Sequence, residues 1–132
     1  MAHAIARIGA TPYSVQVTTG RHSITADEPA ALGGHDAGPA PFDLLLASLG
    51  ACTAITLRMY ADRKQWAFRA LQVELSYRKG DPKQGERGQI ERVVTIDGDL
   101  SGEQRQRLAE IAEKTPVTLT LKAGAEIRTE FR

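Results

Sequence analysis

Cys52 is the only cysteine among 132 residues, and it lies in the least polar run of the chain, from Phe42 to Leu57. A lone thiol rules out an intrachain disulfide and a cysteine-rich metal site. Two readings stay open: a small buried hydrophobe, the usual role of a free cysteine, or a nucleophile. A nucleophilic cysteine must be a thiolate, and its ordinary pKa is about 8.5. Apolar surroundings push that value up. A helix N-terminus lowers it only within the first turn. Cys52 falls roughly ten residues into its helix, about 15 Å along the axis, so activation requires a cation from another element. Arg58, six residues on, points to a different face at about 100° per residue. Arg21, at a turn between two early strands, reads from its position alone as a solvated turn arginine. Asp43 either pairs with such a cation or faces the positive end of its own helix. Ser48, Leu49, Ile55 and Thr56 stand three or four residues from Cys52 and so share its side of the helix. Leu49, Ile55 and Thr56 are the expected substrate contacts. The hydroxyls of Ser48 and Thr56 could equally bond helix carbonyls.

The elements that must position these residues follow from patterning. Tyr13, Val15 and Val17 alternate with polar residues, as in a half-buried strand, and Gly20-Arg21 turns into a second strand, His22 to Ala26. Asp27 to Pro41 is dense in Gly and Pro and reads as a loop. A helix is expected from about Phe42 to about Lys64, apolar on nearly every side through Ile55 and therefore central. Leu71 to Tyr77 and Ile90 to Ile96 read as strands joined by a polar loop. Ser101-Gly102-Glu103-Gln104 is a capping box that opens a helix to about Lys114. Pro116 to Leu121 is ambiguous: its residues favour a strand, while Pro at a first helical position permits a short helix. Ala125 to Phe131 alternates and is expected to close the chain as a strand. The resulting class is α+β, with helices packed on antiparallel sheet, in a single domain spanning 1–132.

Composition excludes several functions. Lys and Arg number 17 against 16 acidic residues, for a formal net charge of +1. That balance offers no basic footprint for nucleic acid. The start of the chain lacks the charge and apolar core of a signal peptide. The run from Leu44 to Leu57 is too short to span a bilayer. A cytoplasmic protein with a reduced thiol is expected. His3, His22 and His35 are scattered without zinc spacing. Gly33, Gly34 and Gly38 do not form a phosphate loop, because no Gly-Lys-Ser/Thr follows. No metal or cofactor is expected.

Several motifs together carry a resemblance. They are Ala26-Asp27-Glu28-Pro29, Gly33-Gly34, Gly38-Pro39 with Pro41, and Asp43 through Leu49-Gly50-Ala51-Cys52-Thr53. Leu57-Arg58-Met59-Tyr60-Ala61, Ile90-Glu91-Arg92 and Gln104-Arg105 extend them. In these the chain resembles the OsmC/Ohr family of hydroperoxide-reducing proteins. The resemblance implies an intertwined homodimer, with antiparallel sheets around a long central helix that carries the cysteine. It implies that Cys52 attacks the O–O bond of an organic hydroperoxide, with an activating arginine from the region of Arg21 and an acidic partner near Asp43. In the family a second cysteine, in a motif resembling Lys-Cys-Pro-Val-His, then closes a disulfide. Here the matching stretch is Lys114-Thr115-Pro116-Val117-Thr118. Thr115 replaces the second cysteine and Thr118 the histidine, so an external thiol must reset Cys52. The alternative is a non-catalytic dimer that binds an apolar small molecule or senses redox state.

Overall fold

A computed structural model describes residues 1–132. The chain divides into two compact units, Met1–Leu45 and Leu46–Arg132.

The first unit holds a three-stranded antiparallel sheet in the order β1 (Ile5–Ile8), β2 (Val15–Thr19), β3 (His22–Ala26). The anticipated hairpin forms, with Gly20 at φ 58° in its turn and Val17 opposite Ile24. The Gln16 and Thr25 side chains bond each other across it at 3.0 and 3.2 Å. β1 was not expected. It has only four residues, all exposed, and Ile5-Ala6-Arg7-Ile8 lacks an alternating pattern.

The Gly/Pro loop after β3 is tied down by Asp27, which is 2% exposed. Its carboxylate accepts from the backbone N–H groups of Glu28 at 2.8 Å, His35 at 3.2 Å and Ala37 at 3.2 Å. The Asp27 N–H in turn donates to Pro39 O at 3.2 Å. Burial works to raise the Asp27 pKa. The backbone donors of Ala37, Glu28, His35 and Tyr13 outweigh it, and the carboxyl titrates below the ordinary carboxylate value. A depressed folded-state pKa means stabilisation that is complete above the unfolded value, about 3.9, and lost as pH falls through the folded value. Asp27→Asn should therefore lower the melting temperature by several degrees at pH 7. The gap should close as acid protonates the native carboxyl. Equal melting temperatures at pH 7 would contradict this role.

α1 (Pro41–Lys64) spans the boundary between the two units. It starts on Pro41, with Asp43 in its first turn. It ends in the paired bonds of a Schellman motif, Trp66 N–H to Ala61 O at 2.9 Å and Gln65 N–H to Asp62 O at 3.1 Å. Gln65 takes the left-handed φ of 58° that this cap requires. By length and composition α1 could cross a bilayer, more than the shorter apolar run suggested, but the core helix of a globular domain passes the same test.

In the second unit β4 (Ala70–Arg78) and β5 (Gln89–Asp97) form an antiparallel hairpin. Burial alternates strictly along both, with Leu71, Val73, Leu75 and Tyr77 inward opposite Ile96, Val94, Arg92 and Ile90. α2 (Gly102–Ala112) begins at the anticipated capping box, with Ser101 and Gln104 exchanging bonds at 2.8 and 3.1 Å. Leu57, Leu108 and Ala112 centre the core, and Tyr60, Trp66, Leu71, Val94 and Ile96 pack around them. Each leucine so buried contributes roughly 1.5–3 kcal/mol. Tyr60 and Trp66 meet edge to face at 5.7 Å, and Arg107 Nε donates to Tyr60 Oη at 2.9 Å.

The ambiguous segment is helical: α3 runs Pro116–Ala123. Thr115 caps it by accepting from Thr118 N–H at 3.3 Å, and Pro116 occupies a position where no N–H partner exists. The expected strand over 125–131 is absent. Alternation alone does not make a strand, and no other strand pairs with this tail, which leaves Ile127 86% and Phe131 95% exposed.

Candidate functional site

Cys52 is a free, half-buried thiol on α1. The buried face of the helix is Leu49, Thr53, Leu57 and Ala61. Cys52 sits one residue off that stripe, at its margin, beside an exposed apolar strip containing Ile55 (58%) and Met59 (50%). The predicted contacts divide accordingly. Leu49 is buried, Thr56 half-buried, and Ser48 and Ile55 exposed. Ile55 and Met59 open onto a shallow hollow shared with Ala54, Arg58, Phe68 and Leu71.

Arg58 is committed elsewhere, as its helical phase implied. Its guanidinium lies 3.6 Å from the centre of the Phe68 ring, donates twice to Phe68 O at 3.2 Å, and reaches Asp62 at 3.7 Å. Arg21 is exposed at the β2–β3 turn, and its side chain has no partner within the chain. Asp43 is exposed and accepts from Ala40 N–H at 3.2 Å, a contact within the helix entry. Arg21 and Asp43 belong to the first unit and Cys52 to the second. No group of three or more His, Cys, Asp or Glu side chains could hold a metal ion.

The most organised polar cluster was not anticipated. It centres on Arg92 of β5, whose side chain is 13% exposed. Its Nη1 donates to Thr53 Oγ1 at 3.0 Å and to Thr118 Oγ1 at 2.9 Å, and its Nη2 donates to Ala112 O at 3.0 Å. Each hydroxyl has one proton to give. Thr53 spends its proton on Leu49 O at 2.7 Å. Thr118 Oγ1 lies 2.6 Å from Thr115 Oγ1 and 3.3 Å from Ala112 O, and its one proton serves one of these two. Thr53 and Thr115 are fully buried and Thr118 nearly so, yet no buried side-chain polar atom lacks a partner. One arginine thus ties α1, β5, the end of α2 and the start of α3 together. The inward phase of Ile90, Val94 and Ile96 also places Arg92 inward. An arginine on the core side of a strand was the readable signal.

The OsmC-like protein family matches residues 34–130, a stretch holding the second half of the Gly/Pro loop, Cys52, Arg92 and the Thr115-Pro116 turn.

The chain belongs to the OsmC-like family.

Solved structures share its fold. An OsmC-like protein from Mycoplasma pneumoniae superposes with a TM-score of 0.80 at 21% identity, over 92% of this chain and 87% of that one. An organic hydroperoxide resistance protein from Legionella pneumophila gives 0.68 at 22%, over 92% and 89%. The organic hydroperoxide resistance protein OhrB of Bacillus subtilis gives 0.60 at 23%, over 91% and 90%. No curated protein is similar enough in sequence to count as a relative. The OsmC-like architecture is therefore the expected α+β arrangement, with two small antiparallel sheets and three helices. This OsmC-like chain carries its one thiol on α1 and buries Thr115 and Thr118 beside Arg92.

Proposed function

We propose that the protein reduces organic hydroperoxides through Cys52 and that an external thiol completes the cycle. The observation that carries this reading is the half-buried free thiol at the margin of an exposed apolar strip on α1. In the first step the Cys52 thiolate attacks the distal oxygen, the O–O bond breaks, and the alkoxide leaves to take up a proton. Cys52 becomes a sulfenic acid. An external thiol then displaces water to give a mixed disulfide, and a second thiol releases Cys52. The chain has no other sulfur nucleophile for this role, and Thr115 is fully buried.

We assign the activating cation to Arg21, from the same chain or a second copy, with Asp43 as its acidic partner. The unpaired Arg21 side chain supports this. Leu49, Ile55 and Thr56 are the proposed substrate contacts. The working form is a cytoplasmic homodimer that uses neither membrane nor nucleic acid. Exposed Ile55 and Met59 on α1 and exposed Ile127 and Phe131 on the unpaired tail support association. We treat residues 1–132 as one functional domain, since the family match crosses from one compact unit into the other. A second reading, a non-catalytic binder of apolar molecules or a redox sensor, draws support from the two sealed threonines.

The test is intact-protein mass spectrometry after one equivalent of an aryl hydroperoxide. The expected product carries one added oxygen that a cyclic 1,3-dione traps at Cys52. Thiol-dependent turnover should fall to the protein-free rate in Cys52→Ser. An unoxidised Cys52, at a dose that consumes a competing reactive thiol, would exclude the peroxidase reading.

A further inference from the structure

The side of Arg92 toward the β4–β5 loop borders a cavity of about 340 Å³. That is at the small end of the range for small-molecule sites, roughly 300–1,000 Å³. Leu49 of α1, Ile90 of β5 and Leu121 of α3 give it an apolar lining. Arg87, Arg92 and Lys122 give it three cations against one carboxylate, Glu113. Lys122 Nζ holds that carboxylate at 2.6 Å. Arg92 spends its Nη groups on Thr53, Thr118 and Ala112. Arg87 is exposed, and its side chain has neither an acidic partner nor a hydrogen bond within the chain. A cavity lined by three apolar side chains and an excess of cations suits one class of ligand. Apolar surface favours a hydrocarbon tail, and a fork of guanidinium donors favours an oxyanion.

We propose that this cavity binds a small amphipathic monoanion, a carboxylate with a short hydrocarbon tail. The oxyanion meets Arg87 and Lys122, and the tail lies against Leu49, Ile90 and Leu121. Cys52 is not among the lining residues. On α1 the cavity uses the buried side, through Leu49, while Cys52 sits at the margin of that side. The site shares Leu49 with the proposed hydroperoxide contacts but does not use the thiol, so it stands whether or not Cys52 reduces hydroperoxides.

Calorimetric titration of the full chain with sodium octanoate tests this. One saturable site is expected, and the methyl NMR signals of Leu49, Ile90 and Leu121 should shift along the same saturation curve. Arg87→Gln lies on the surface and should keep the fold while weakening binding about tenfold, the usual worth of a hydrogen bond to a charged group. Cys52→Ser should bind as the wild type does. Octanol, which keeps the tail, and acetate, which keeps the head, should each bind at least tenfold more weakly. The proposal is overturned if octanoate does not saturate, if Arg87→Gln binds unchanged, if acetate or octanol matches octanoate, or if Cys52→Ser abolishes binding.

Discussion

Arg92→Ala is expected to lower the unfolding free energy by about 3 kcal/mol, as hydrogen bonds from a charged donor are each worth roughly 1.5–3 kcal/mol and do not sum fully. Three such bonds disappear at once, to Thr53, Thr118 and the Ala112 carbonyl. The loss is limited because both hydroxyls keep a carbonyl to donate to. The Glu113 carboxylate, 4.0 Å away and 60% exposed, is solvated and adds little. Arg92→Lys should recover less than half, because an ammonium on a flexible stem cannot reproduce the planar fork. Urea denaturation measures both. Unchanged midpoints would show that the cluster is not a structural tie. Thr53→Val and Thr118→Val should each be costly alone and non-additive with Arg92→Ala, as members of one network are.

Gly38→Ala is the second large effect, at about 3 kcal/mol, the upper end of the usual overpacking cost. A Cβ at position 38 would stand 1.9 Å from the Thr25 carbonyl oxygen and 2.7 Å from its carbon. Those atoms belong to the backbone of β3 and cannot rotate away as a side chain does. Gly34 meets the same obstacle, with Glu28 O at 2.0 Å. Gly9 has nothing within 4 Å and supplies the control. Thermal melting and limited proteolysis within 27–40 should separate Gly38→Ala from Gly9→Ala. Equal stability of the two variants would sink the argument. The loop is rich in glycine because two of its turns pass against carbonyl groups of the preceding chain.

Much of this fold was readable from local chemistry. Proline and aspartate opening a long apolar run announced α1, strict alternation announced β4 and β5, and Ser101 with Gln104 announced α2. What failed did so for non-local reasons. The alternating tail from Ala125 to Phe131 has the composition of a strand, but a strand also needs a neighbour. Pro116 to Leu121 has strand-favouring residues, and the Thr115 cap with Pro116 outweighed them. At the site, the sequence singled out Cys52 and showed that Arg58 faces elsewhere. It noted Thr115 and Thr118 only for the residues they replace. Thr115 in fact bonds Thr118, and Thr118 accepts from Arg92, which also holds Thr53; these residues are far apart in the chain and joined only by folding.

The threonine pair also bears on substitution. Placing a thiol at position 115 looks like a one-residue change, yet Thr115 both caps α3 and shares a hydrogen bond with Thr118 Oγ1. Cysteine is a weak donor and acceptor, so the exchange would disturb a hydrogen-bond chain running through Arg92 to the residue beside Cys52. A cysteine at position 115 is thus expected to cost stability unless Thr118 changes with it.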